Sequence, residues 1–159
     1  MIYEELFSIK ITGEPKFLTM ICYKYPRPSL TVDAVVFKQE GVNTYVLLIQ
    51  RKNPPYQNKW ALPGGFVDMD ETLESAVSRE LMEETGISDV EFQQLHAFSS
   101  LERDPRGRTV SVVFWGWLPN KKKPVAGDDA ADARWFNLNN LPLLAFDHQE
   151  ILQMAIGKL

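Results

Sequence analysis

Apolar and polar positions change their period several times along the chain, and the changes outline its elements. Residues 31–38 (TVDAVVFK) and 44–51 (TYVLLIQR) are β-branched and nearly continuous in apolar character. That pattern predicts two strands covered on both faces. Gly41, Val42 and Asn43 between them predict a hairpin. Residues 60–62 (WAL) predict a short strand, with Pro63, Gly64 and Gly65 turning the chain after it. No Gly or Pro interrupts residues 71–85 and Gly86 follows as a cap, so a helix is predicted there. Residues 90–101 and 109–118 predict two more strands around a polar, basic linker at 102–108. A short strand at 133–136 and a helix over 147–158 complete the chain. Pro26 and Pro28 break the pattern upstream, leaving residues 1–29 as a leader with a strand near 17–24. Such a leader is a candidate contact for a second copy, as a homodimer. The remainder, 30–159, reads as one α/β domain: a mixed sheet with a helix on each face, an α/β/α sandwich.

The helix at 71–85 carries a contradiction. Advancing 100° per residue, Leu73, Ala76, Val77 and Leu81 fall in one apolar stripe. Glu80 and Glu84 fall in the middle of that stripe, with Glu83 on its edge. Carboxylates four apart repel by about 0.2–0.5 kcal/mol even on an exposed helix, and burial makes this worse. A bound cation resolves the conflict. Carboxylate oxygens with little competing nitrogen or sulfur suit a hard ion, Mg²⁺ or Mn²⁺.

Gly65, Glu71, Arg79, Glu80, Leu81, Glu83, Glu84, Gly86 and Ile87 together resemble the Nudix box, G-x5-E-x7-R-E-U-x-E-E-x-G-U with U aliphatic, with no departure at any fixed position. The resemblance covers about 30–159 and implies the Nudix-type α/β/α sandwich with a mixed β-sheet. It also implies metal-dependent attack of water on a nucleoside diphosphate linked to another moiety. On that reading Glu80 and Glu84 are the primary metal ligands, and Glu83 is a further ligand or positions water. The carbonyl of Gly64 is an additional ligand. Arg79 orients the carboxylates, with Glu71 as its partner. The general base stays open among Asp128, Asp129, Glu102, Asp104, and Glu83 or Glu84.

Flanking runs at 27–33, 60–67, 103–107 and 146–148 look like the ADP-ribose pyrophosphatase branch, which implies AMP and ribose 5-phosphate as products. Arg51, Arg106 and Arg108 are candidates to clamp phosphate or ribose, since the guanidinium fork binds phosphate through two bonds. Tyr56 and Phe98 are candidates to stack on adenine, while His96 and His148 read as structural. Other nucleotides fit the box equally well: a nucleotide sugar, a dinucleotide polyphosphate or an oxidised nucleoside triphosphate. A similar domain in an ADP-ribose sensor would be followed by a winged helix, for which a chain ending at Leu159 is expected to leave no room.

Composition narrows the setting. A chain of 159 residues, 45% hydrophobic and 24% charged, fits one ordinary globular domain. Its net charge of −4 lacks the basic footprint of a nucleic-acid binder, so a small anionic nucleotide must be held locally, by metal and a few arginines. The single cysteine, Cys22, excludes an internal disulfide and fits a reducing compartment. No apolar run is long enough to span a bilayer, and acids stand where a signal peptide would carry lysines. The expectation is a cytoplasmic protein with no membrane partner.

Overall fold

The computed structural model describes residues 23–119, 123–127 and 130–159. Within them a seven-stranded mixed sheet carries one helix on each face, the sandwich expected. The strand expected near 17–24 falls almost wholly outside the described residues, as do Cys22, Asp128 and Asp129. No helix among the described residues is long and apolar enough to cross a membrane.

Two strands organise the sheet. β1 (Ser29–Glu40) and β2 (Asn43–Arg51) form the hairpin, and Gly41 takes φ +61° in its turn, where a side chain would be strained. Residues 31–37 of β1 are all buried. Val32, Ala34 and Val36 pack with Ala76, Val77 and Leu81 of α1 (Leu73–Thr85). Val35 and Phe37 pack with Ile151, Leu152 and Ala155 of α2 (His148–Ile156) on the other face. Helices on both faces explain why the apolar run is continuous rather than alternating. Each such buried Leu or Ile contributes roughly 1.5–3 kcal/mol.

The sheet forks. β2 pairs with β1 only from Phe37↔Val46 outward to Glu40↔Asn43. Beyond that point β3 (Trp60–Ala61) pairs with β2 at Ile49 and Gln50, while β7 (Ala130–Asn137) pairs with β2 from Tyr45 to Arg51. The other half of β1 pairs instead with β4 (Gly64–Phe66), from Thr31↔Phe66 to Asp33↔Gly64. On its far side β1 runs parallel to β6 (Thr109–Trp117), which carries β5 (Gln93–Phe98) at the edge. The turn expected at 63–65 is therefore corrected: Gly64 and Gly65 lie in a strand. Glycine is a poor strand former, and the free flank of β1 imposes the pairing.

Helix α1 starts at Leu73 rather than residue 71 because Thr72 caps it, its hydroxyl accepting the Ser75 N–H at 3.2 Å. It stops at Gly86, φ +64°, whose N–H bonds Met82 O at 2.9 Å. Val125 and Gly127 donate backbone N–H groups to Thr85 O and Glu84 O, laying that segment on the last turn of α1.

Candidate active site

Where β1 and β2 part, a cleft of about 320 Å³ opens, a size that suits a small ligand. One wall is acidic and comes from β4 and α1. Glu84 accepts the Gly64 N–H at 2.9 Å. Burial pushes its carboxyl up to about 8, with the nearby Glu80 and Asp33 charges adding to the shift and the Gly64 N–H opposing it. Burial also raises Glu80, whose side chain is only 14% exposed, and Arg79 works against that rise. Neither glycine of β4 can be replaced freely. A Cβ on Gly65 would run into the Glu80 carboxylate, and one on Gly64 into Val32 O and Asp33.

Arg79 ties this wall together. Its Nε and Nη2 bind both oxygens of Glu71 at 3.0 and 2.6 Å. Its Nη1 donates to Glu80 at 2.8 Å and to Glu83 at 3.1 Å, and Nη2 also donates to Phe66 O at 3.0 Å. These hydrogen bonds, with one from the Asp68 N–H, hold Glu71 below the usual carboxylate range. Glu83 is the most open of the four acids, its side chain 59% exposed. Among the described residues no three acidic, histidine or cysteine side chains converge tightly enough to encircle an ion as they stand.

The opposite wall is cationic and aromatic. Arg51, at the end of β2, lies 4.8 Å over the ring of Phe146. Among the described residues its hydrogen bonds go to the carbonyls of Pro55 and Asn53, at 2.8 and 3.5 Å. Burial and the neighbouring Arg106 charge lower its pKa. Arg106 is held edge-on by Asp104, through Nε at 3.0 Å and Nη2 at 2.7 Å. Burial would raise Asp104, but these bonds outweigh it and leave the group lowered. The guanidinium of Arg106 sits 5.3 Å from the Phe66 ring and 5.9 Å from the Phe146 ring.

The sequence that builds this cleft matches the NUDIX domain family model over residues 27–155. The chain belongs to the Nudix family. It is 46% identical to the ADP-ribose pyrophosphatase of Methanocaldococcus jannaschii over 81% of its own length and 73% of that enzyme's. The ADPR responsive transcriptional repressor NtrR of Acinetobacter baylyi is 38% identical over 85% of this chain, which spans 56% of the repressor. Among solved structures, the NUDIX domain of Shewanella oneidensis NrtR complexed with ADP ribose superposes with a TM-score of 0.79 at 34% identity, covering 84% of this chain and 90% of that one.

The cleft of this Nudix domain gathers Gly64, Arg79, Glu80, Glu84, Arg51 and Arg106, while Glu71 and Glu83 reach it through Arg79. Arg108 lies apart, donating to the carbonyls of Ser99, Ser100 and Thr109. Asp129, the loop candidate for the base, lies outside the described residues with Asp128. Asp104 lines the cleft but is committed to Arg106. Glu102 sits beside Tyr56 and Glu150 in a shallower pocket. Phe98 is 6% exposed, within the core on the α2 face, and so is closed to adenine. Tyr56 packs edge-on against Phe146 at 4.8 Å.

One network escaped sequence reasoning. Arg103 binds Asp147 through two bonds of 2.9 Å, with Asp33 Oδ2 at 3.5 Å. Asp33 also accepts the Ser111 hydroxyl. His148 Nδ1 accepts the Leu62 N–H at 2.9 Å, so its proton sits on Nε2, facing Asp33 Oδ1 at 3.5 Å. Burial lowers the His148 pKa and keeps the ring neutral. Asp33, an acid inside an apolar strand, was the available signal, because a buried charge requires a partner.

Proposed function

We propose that the protein is a metal-dependent Nudix hydrolase that cleaves the diphosphate of ADP-ribose to AMP and ribose 5-phosphate. The observation that carries this is the pair Glu80 and Glu84, half-buried carboxylates facing Arg51 across the cleft. The likeness to the archaeal ADP-ribose pyrophosphatase supports the substrate. An all-oxygen donor set with a buried carboxyl pushed up to about 8 fits Mg²⁺ or Mn²⁺, since a cation relieves the burial of that charge. Glu80, Glu84 and the Gly64 carbonyl would hold the ion, with Glu83 as a further ligand. Once bound, the ion supplies charge for the diphosphate oxygens and acidifies the attacking water.

The residues of the chain do the rest. Arg79 holds Glu71, Glu80 and Glu83 in fixed relation, so the acids need no reorganisation when substrate arrives. Arg51 contributes positive charge to the diphosphate from the facing wall. Glu83, Glu84 or Asp129 takes the proton from water. A new P–O bond forms, the bridging P–O bond breaks, and the departing phosphate keeps the electron pair. The single cysteine supports a cytoplasmic setting, and a homodimer through residues 1–29 is part of the proposal.

Incubation with ADP-ribose and Mg²⁺, with products separated, is the direct test. AMP and ribose 5-phosphate in equal amounts are expected. A nucleotide sugar, a dinucleotide polyphosphate or an oxidised nucleoside triphosphate turned over faster would reassign the substrate. The repressor likeness favours a second reading, an ADP-ribose sensor. Tight binding without any turnover would establish that one.

A further inference from the structure

We propose that Phe146 is a positioning residue: its ring seats the guanidinium of Arg51 in the cleft, and the Arg103–Asp147 and His148–Leu62 contacts serve to hold that ring in place. The proposal rests on the reading that Arg51 meets the diphosphate of the substrate, and it adds what aims the group. Arg51 lies 4.8 Å over the Phe146 ring, and both side chains line the cleft. Among the described residues the hydrogen bonds of Arg51 end on the carbonyls of Pro55 and Asn53. A ring and two carbonyls carry no net charge, so they fix a cation without neutralising it. Arg106, the second guanidinium near this ring, shows the alternative. Asp104 grips its fork through Nε and Nη2, and that carboxylate offsets the charge. Of the two, Arg51 is the one whose charge stays available to an anion.

The backbone around Phe146 is arranged for this task. Phe146 takes φ +53°, a left-handed conformation that a bulky residue rarely adopts and that persists only where the surroundings impose it. They impose it from both sides. Ala145 is fully buried, donates its N–H to Trp60 O at 2.8 Å and accepts the His148 N–H at 3.2 Å. Asp147 accepts two bonds of 2.9 Å from Arg103, and His148 Nδ1 accepts the Leu62 N–H at 2.9 Å. Bonds from residues 60–62 and from Arg103 thus fix the residues flanking one half-buried ring. Tyr56 braces the ring from the side, edge-on at 4.8 Å. Backbone held in this way at a cleft wall points to a side chain whose direction matters there.

The test uses the full chain with Mg²⁺ and ADP-ribose. Phe146→Leu keeps apolar volume and removes the π-face. It should raise KM roughly 5-fold, the loss of about one cation–π contact, with a much smaller change in kcat. Phe146→Tyr, which keeps the ring, should restore KM. Joined to Arg51→Met, Phe146→Leu should add little to the rise that Arg51→Met causes alone, since both remove one interaction. An unchanged KM in Phe146→Leu, no recovery in Phe146→Tyr, or effects that multiply in the double variant would overturn the assignment. A second reading needs no substrate. NMR relaxation at Arg51 Nε should show a rigid guanidinium in the parent and in Phe146→Tyr, and a mobile one in Phe146→Leu; equal rigidity in all three would also overturn it. Should Phe146→Leu lose its fold by circular dichroism, Phe146→Met fills similar space without a ring, and the same readings apply. If the wild-type protein leaves ADP-ribose intact, the substrate reading fails by itself, and the relaxation measurement decides whether the ring seats Arg51.

Discussion

Glu71, Glu80, Glu83 and Glu84 come from one strand-to-helix run; the first three share the guanidinium of Arg79, and Glu84 accepts the Gly64 N–H. Across the cleft, Asp33, Arg51, Arg103, Arg106 and His148 come from β1, β2, the 99–108 loop and the start of α2. The first wall is local and wired by contacts between residues no more than 20 apart, all within 64–84. The second is assembled only when distant segments meet, and buried ion pairs hold it. Chemistry that every diphosphate substrate needs can reside in a short stretch. Selectivity for the rest of the substrate falls to the wall that folding has to build.

The comparison breaks most visibly at Arg103. Arg103→Met leaves Asp147 and Asp33 without their shared cation, and stranding a buried charge costs about 3–5 kcal/mol. Thermal unfolding should show a large fall in Tm. Adding Asp147→Leu should recover part of it, because the charge and its partner leave together. A single variant as stable as the parent would mean that the pair does not hold this wall.

Glu84→Gln attacks the other side and should behave in the opposite way. The amide keeps the shape but ligates a divalent ion poorly, so kcat should fall by roughly 100- to 1000-fold. Stability should hold or rise, since a buried negative charge is gone. Near-full activity would remove Glu84 from the ligand set.

Legibility in the sequence follows the same divide. The helix, its cap at Gly86 and the spacing that lets Arg79 reach Glu71 and Glu83 are local facts, readable from a 3.6-residue period. The hairpin was readable for the same reason. β4 was not, because its two glycines carry no strand preference and only the open flank of β1 makes them pair. Nor was Phe66 as an exposed ring, since its position depends on that pairing. Asp104 and Arg106 stand two apart in sequence, yet only the conformation of the loop shows that they bind each other and leave Arg108 turned toward carbonyls.

A subtler contrast is protonation. Glu84 titrates near 4.5 when unfolded and is raised to about 8 in the folded chain. The folded state therefore holds the extra proton, and this group's contribution to stability declines as pH climbs from about 4.5 to 8. Metal-free protein should lose Tm across that window, while Mg²⁺ should restore more of it at the upper end, where no proton competes. Glu84→Gln should flatten both trends. A variant with the parent's slope would show that another group dominates.

The smallest expected effect separates two neighbouring arginines. Arg106→Ala removes a guanidinium placed against two rings, an interaction worth about 0.5–1 kcal/mol at an exposed site. KM for ADP-ribose should rise roughly 2- to 5-fold with kcat little changed, since the contact serves bound substrate and transition state alike. Arg108→Ala, whose side chain serves backbone carbonyls away from the cleft, should leave KM where it was. If Arg108→Ala raised KM and Arg106→Ala did not, the loop would have to rearrange on binding, and the cationic wall seen without substrate would not be the one that receives it.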